Sequence, residues 1–94
     1  MKNKTPKRLR KYRMDAGYTI YTLADKLEEI LGKGVHYSSI SYWENGEKVP
    51  RIGTIVALED LFNVGYRELF SDLTDDEIKE LDQRLLAARK GEHY

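Results

Sequence analysis

The chain has 94 residues, no cysteine, two histidines, and 16 Lys/Arg balanced by 16 Asp/Glu. This length makes one small domain with a modest core, and the composition excludes disulfides, thiolate metal sites, thiol catalysis and a multi-histidine metal centre. The zero net charge hides a split, since residues 1–51 hold 11 basic and 6 acidic side chains and residues 52–94 hold 5 and 10; such asymmetry reads either as a basic surface for a polyanion or as a solvated basic tail.

In chain order, Thr5-Pro6 predicts an N-cap followed by proline at the first helical position. Leu9, Tyr12, Arg13 and Ala16 then form one inward stripe, which Gly17 ends. Thr19 caps a second helix whose buried face is Leu23, Ala24, Leu27 and Leu31, and Gly32-Lys33-Gly34 breaks it. Residues 35–50 predict a short third helix with two unlike faces. At about 100° per residue, Ile40 and Trp43 point inward, while Tyr37, Ser38, Ser41, Tyr42 and Asn45 form an uncharged hydrogen-bonding face. Asn45-Gly46 supplies the C-cap, and Pro50 stops continuation. So short a helix is unstable alone and must be presented by a scaffold.

A fourth helix is expected over Thr54 to Phe62, with Ile55, Leu58, Leu61 and Phe62 inward. After the Asn63-Val64-Gly65 turn, Tyr66 to Phe70 reads as a short fifth helix. Thr74 and Glu77 have capping-box spacing and open a sixth helix to about Lys90, beyond which the chain is expected to fray. Ile78, Leu81, Leu85 and Ala88 could form a two-heptad seam, with Asp75–Lys79 and Glu80–Arg84 as supporting i,i+4 pairs; packing of this helix on its own domain is the alternative. No alternating β-branched run argues for a sheet. No apolar run approaches the ~18 residues that span a membrane, and no signal-peptide core follows the basic start. The cytoplasm is therefore the expected compartment.

Leu23-Ala24, Val35, the run Ile40-Ser41-Tyr42-Trp43-Glu44-Asn45-Gly46, Pro50 and Leu69-Phe70 occur in the order of a Cro/C1-type (XRE-family) helix-turn-helix domain, which the chain resembles from about Leu9 to Phe70. The resemblance implies an all-α fold: a five-helix lambda-repressor-like domain with an additional C-terminal helix. Residues 1–70 would be the DNA-binding domain with its basic arm, and residues 71–94 a helix and tail serving as a candidate dimerisation element. It also implies that Arg13 and Glu44 pair beneath the domain.

Three positions depart from the family pattern. Ile20 stands where a glutamine usually touches phosphate and braces the third helix, so Tyr21 is expected to take over the phosphate contact. The stretch from Leu27 to Ile40 is longer than the family's common spacing, which brings Lys33 toward a DNA backbone. His36 replaces the usual Ser or Thr N-cap.

The function implied is that of a sequence-specific double-stranded DNA-binding regulator, a small repressor reading the major groove with residues 36–45. Tyr37, Ser38, Ser41 and Tyr42 would meet base edges. Thr19, Tyr21, Lys33, Asn45, Lys48 and Arg51 would meet phosphate, with Lys2 to Lys11 as a mobile arm. The absence of Arg, Gln or Asn at the base-reading positions implies that DNA shape carries part of the specificity. A homodimer on a two-fold related operator is expected. No cofactor, metal or small-molecule ligand is evident, and no nucleophile–base set argues for an enzyme. The alternative is a protein-interaction module or antitoxin-type protein, since tyrosine-rich uncharged faces suit protein interfaces.

Overall fold

The computed structural model describes residues 5–91, with side chains through Ala87. Six helices follow one another: α1 (Arg8–Asp15), α2 (Ile20–Leu31), α3 (Tyr37–Glu44), α4 (Ile52–Phe62), α5 (Tyr66–Leu69) and α6 (Asp75–Gly91). No strand occurs among the described residues beyond a single antiparallel bridge between Lys7 and Asp72. Lys2, Lys4, the side chain of Ala88 and the end of the chain lie outside the described residues.

The expected start of α1 is corrected. Thr5-Pro6 does not cap it; the N-cap is Lys7, in extended conformation and without a side-chain cap. The segment's backbone groups are engaged elsewhere. The Pro6 carbonyl accepts from the Leu73 amide at 2.9 Å, and the Lys7 amide donates to the Glu44 carbonyl at 2.7 Å. Those tertiary bonds hold the chain extended for two residues longer than local propensity suggests. α4 begins at Ile52, two residues before the expected Thr54.

Elsewhere local chemistry sets the boundaries. Thr19 and Thr22 cap each other reciprocally at the head of α2. Gly32, at φ 74°, closes α2 in the left-handed conformation that favours glycine. The His36 ring accepts from the Ser38 amide at 3.2 Å and so fills the capping role usually taken by a hydroxyl.

α2 packs against both α3 and α4. Leu9, Leu23, Leu27, Ile40, Leu58 and Leu69 are fully buried, with Ala24, Trp43 and Ala57 completing the same core. Each such leucine contributes roughly 1.5–3 kcal/mol. The core therefore fixes the angle at which α3 is offered to solvent.

α6 opens with the expected capping box, the Thr74 amide donating to Glu77 at 2.9 Å and the Glu77 amide to Thr74 at 3.2 Å. The expected seam is split: Leu81 is buried in its own domain and Ile78 is half-buried, whereas Leu85 is exposed, as is Leu86 outside the seam. Arg84 does not complete a pair with Glu80 but donates to Asp15 at 2.8 Å.

The described part of the expected mobile arm, from Lys7 to Lys11, is corrected: its cations are engaged. Lys7 pairs with Asp72 at 2.5 Å, Arg8 with Glu77 at 2.5 Å and Lys11 with Asp15 at 3.2 Å. Tyr12 donates to Glu68 at 2.9 Å. Lys7, Arg8 and Tyr12 thus seat Asp72, Glu77 and Glu68 of the C-terminal segment, while Lys11 pairs within its own helix.

The hydrogen-bonded Arg8 guanidinium, with the Thr74 amide, holds the Glu77 carboxyl at about 2, below its ordinary 4.5. A depressed acid pKa gives stability that is fully present above the unfolded value and is lost as pH falls through the folded one. Glu77→Gln should lower stability at pH 7 by about 1–2 kcal/mol after allowance for solvent screening. It should also flatten the acid limb of Tm against pH between about 4.5 and about 2. An unchanged acid limb would show that Glu77 is not linked to folding.

Candidate nucleic-acid interface

The site rests on Glu44, the last residue of α3, whose side chain is 2 % exposed. An unpaired carboxylate so deep would be strongly disfavoured. Arg13 Nε donates to one of its oxygens at 2.5 Å and Arg13 Nη2 to the other at 3.1 Å. Arg10 Nε adds a third bond at 3.3 Å. Arg13 also donates to the Tyr18 carbonyl at 2.9 Å, fixing the guanidinium against the α1–α2 turn. Two fork-shaped donors on α1 thereby lock the base of α3, and no buried side-chain polar atom among the described residues is left without a partner.

Arg10 was not singled out by the sequence, although it lies one helical turn before Arg13. Its Nη2 donates to the Asn45 side-chain oxygen at 2.9 Å. Because guanidinium is donor-only, the Asn45 oxygen must face Arg10, and the amide nitrogen is left as a donor toward solvent. An amide so oriented suits a phosphate oxygen.

At the other end of α3, aromatic rings take the place of the missing glutamine brace. Tyr21 of α2 lies 4.6 Å from Tyr37 between ring centroids, and His36 stacks on Tyr37 at 4.4 Å. Ile20 instead packs against the core. Ser38 Oγ lies 2.7 Å from His36 Nδ1. That nitrogen already accepts from the Ser38 amide, so it carries no proton and the serine hydroxyl is the donor. The oxygen's lone pairs remain for a partner that donates. Tyr37 and Tyr42 are exposed, and Ser38 and Ser41 are half-buried beside them. Tyr42 carries Lys48 over its ring, 4.6 Å from the centroid.

Lys33, Lys48 and Arg51 are all exposed. Among the described residues none has a carboxylate within ion-pair distance. They flank α3, Lys33 in the connection before it and Lys48 and Arg51 in the turn after it. Thr19 and Tyr21 lie at the head of α2, exposed. Capping consumes the Thr19 and Thr22 amides, which leaves the first-turn amides of Ile20 and Tyr21 for an anion. The sequence-predicted base-reading residues thus occupy α3, with the predicted phosphate contacts around it.

A helix-turn-helix family model matches residues 9–69, well over half of the chain. No curated protein and no solved structure matches.

Removing one member of a buried ion pair costs about 3–5 kcal/mol. Arg13→Ala and Glu44→Ala are expected to fall in that range by urea denaturation, and Arg10→Ala, with its single longer bond to Glu44, near 1 kcal/mol. A loss at Arg13 no greater than at Arg10 would contradict the assigned hierarchy.

Proposed function

This chain belongs to the Cro/C1-type helix-turn-helix family of DNA-binding transcriptional regulators, and we propose that it is a small repressor that reads the major groove with α3 and acts by occupying its operator. The observation that carries this reading is the face of α3. It is hydroxyl-rich, free of carboxylates apart from the buried and neutralised Glu44, and ringed by three unpaired cations. Tyr37, Ser38, Ser41 and Tyr42 are the base-reading residues. Ser38, whose hydroxyl donates to His36 and keeps its lone pairs free, is suited to the exocyclic amino donors of adenine or cytosine. Asn45, Lys33, Lys48, Arg51, Tyr21 and the first turn of α2 after Thr19 hold phosphate. These contacts fix register without specifying sequence.

With three unpaired cations flanking α3 in each protomer, log affinity should fall against log salt with a slope of about −3 per protomer. A flat dependence in a binding titration would overturn the reading. Tyr42→Ala should weaken operator binding about tenfold and binding to unrelated duplex less than about twofold. Equal loss on both would remove Tyr42 from base reading.

One domain covers a half-site, so the repressor acts as a homodimer on a two-fold related operator. The support is Leu85 and Leu86, 47 % and 56 % exposed beyond the buried Leu81 of the same helix. Residues 71–94 then serve both roles: α6 starts as a strap and ends as a subunit contact. Light scattering of the double variant Leu85→Glu with Leu86→Glu should show monomers where the parent chain shows dimers. A variant that remains dimeric would move the interface elsewhere.

A second reading, an antitoxin-type protein-binding module, draws on Val49, Ile52 and Val56, which expose apolar surface at the start of α4. It predicts capture of a stoichiometric protein partner that Ile52→Arg abolishes.

A further inference from the structure

The long connection between α2 and α3 and the turn between α3 and α4 border an open cleft of about 370 Å³. Leu31, Val35, Trp43 and Pro50 form its apolar walls, and Lys33, Lys48 and Arg51 surround it with positive charge. No carboxylate lines it among the described residues. Its volume lies in the range of small-molecule sites, and its lining combines an apolar wall with charged and hydroxyl groups. Three like charges around a low-dielectric wall focus a field that only an anion relieves. A passing phosphodiester satisfies the head groups of these cations but has nothing to set against the side chains of Trp43, Leu31 and Val35. The better complement is a molecule with one charged end and an apolar body.

We infer that this cleft is an effector site for a small organic monoanion with an apolar body, whose binding withdraws Lys33, Lys48 and Arg51 from DNA. The second half of the inference rests on the DNA-binding reading above, since the same cations are assigned to phosphate there. The first half does not. The cleft exists because the segment after α2 is long: Leu31, Lys33, Gly34, Val35 and His36 all contribute to its lining. The binding energy of the anion is spent only in the DNA-free state, so occupation shifts the protein off its operator by differential affinity.

The test uses the full chain with benzoate as the probe, and with benzamide and inorganic phosphate as controls at matched ionic strength. Trp43, the chain's single tryptophan, is a wall of the cleft and reports occupancy by its emission. Benzoate should give a saturable change, with affinity about tenfold above either control. Lys33→Gln combined with Arg51→Gln should weaken it by about tenfold. Gly34→Leu should weaken it, because Gly34 lines the cleft and a Cβ there meets nothing within 4 Å, so the larger side chain is accommodated without displacing a neighbour. No saturation, equal affinity for benzamide or for phosphate, or unchanged benzoate binding by a folded Gly34→Leu protein would each overturn the site.

In the second arm, saturating benzoate should weaken DNA binding about tenfold in the parent chain and less in Gly34→Leu at the same concentration. Unchanged DNA affinity with benzoate bound would overturn the competition. Benzoate titration without any DNA binding would sink the DNA-binding reading alone, and DNA binding without benzoate titration would sink the effector site alone.

Discussion

One carboxylate organises this molecule. Glu44 sits in the interior at the foot of α3, and its charge is tolerated because Arg13 grips both oxygens and Arg10 adds a further bond. An apolar residue there would bury as well, but it would not specify a unique seat: grease slides, whereas two planar forks and a planar carboxylate meet in few geometries. The same Glu44 residue lends its backbone carbonyl to the Lys7 amide. The C-terminal end of α3, the start of α1 and the chain entering it are therefore held at one point. Arg10 extends that constraint outward by turning the Asn45 amide. A buried electrostatic contact thus sets the orientation of a surface donor.

The remaining charges serve a related purpose at the other side of α1. Lys7, Arg8 and Tyr12 bind acids of the segment from Glu68 to Glu77, and Arg84 returns to Asp15. Most of these contacts are partly solvated, and individually they are worth little. Their collective effect is to place Leu73 and Leu81 against the domain. They also engage Lys7 and Arg8, which are thereby withdrawn from the positive surface. Among the described residues of the basic half, the cations without a carboxylate partner are Lys33, Lys48 and Arg51, all beside α3.

Much of this was legible in the residues. Helical periodicity located all six helices, because Leu23, Leu27, Ile40, Leu58 and Leu69 bury at the spacings their helices require. The Arg13–Glu44 contact followed from the family resemblance. What was not legible depended on distant partners. Thr5-Pro6 has the local signature of a helix start, but its backbone bonds go to Leu73, a residue far along the chain. Glu80 and Arg84 have ideal spacing, yet Asp15 outcompetes Glu80 for the guanidinium. Tyr21 braces Tyr37 through a ring contact that no residue pattern encodes. The cleft beside α3 is a space between two loops and therefore has no motif.

These features bear jointly on how tightly the protein holds DNA. A face of tyrosines and serines supplies contact and hydrogen bonding but no bidentate arginine to guanine, and only three unpaired cations back it. Affinity per domain is then moderate, and doubling the domain is the economical route to a specific complex, because the second half-site binds at high effective concentration. Moderate affinity also makes the complex easy to displace. Where a few cations supply most of the phosphate attraction, any competing anion that engages the same few acts on a large fraction of it. The long connection after α2 brings one of those cations and an apolar wall together beside the recognition helix. On the effector reading proposed above, this juxtaposition would let the surroundings set the domain's grip.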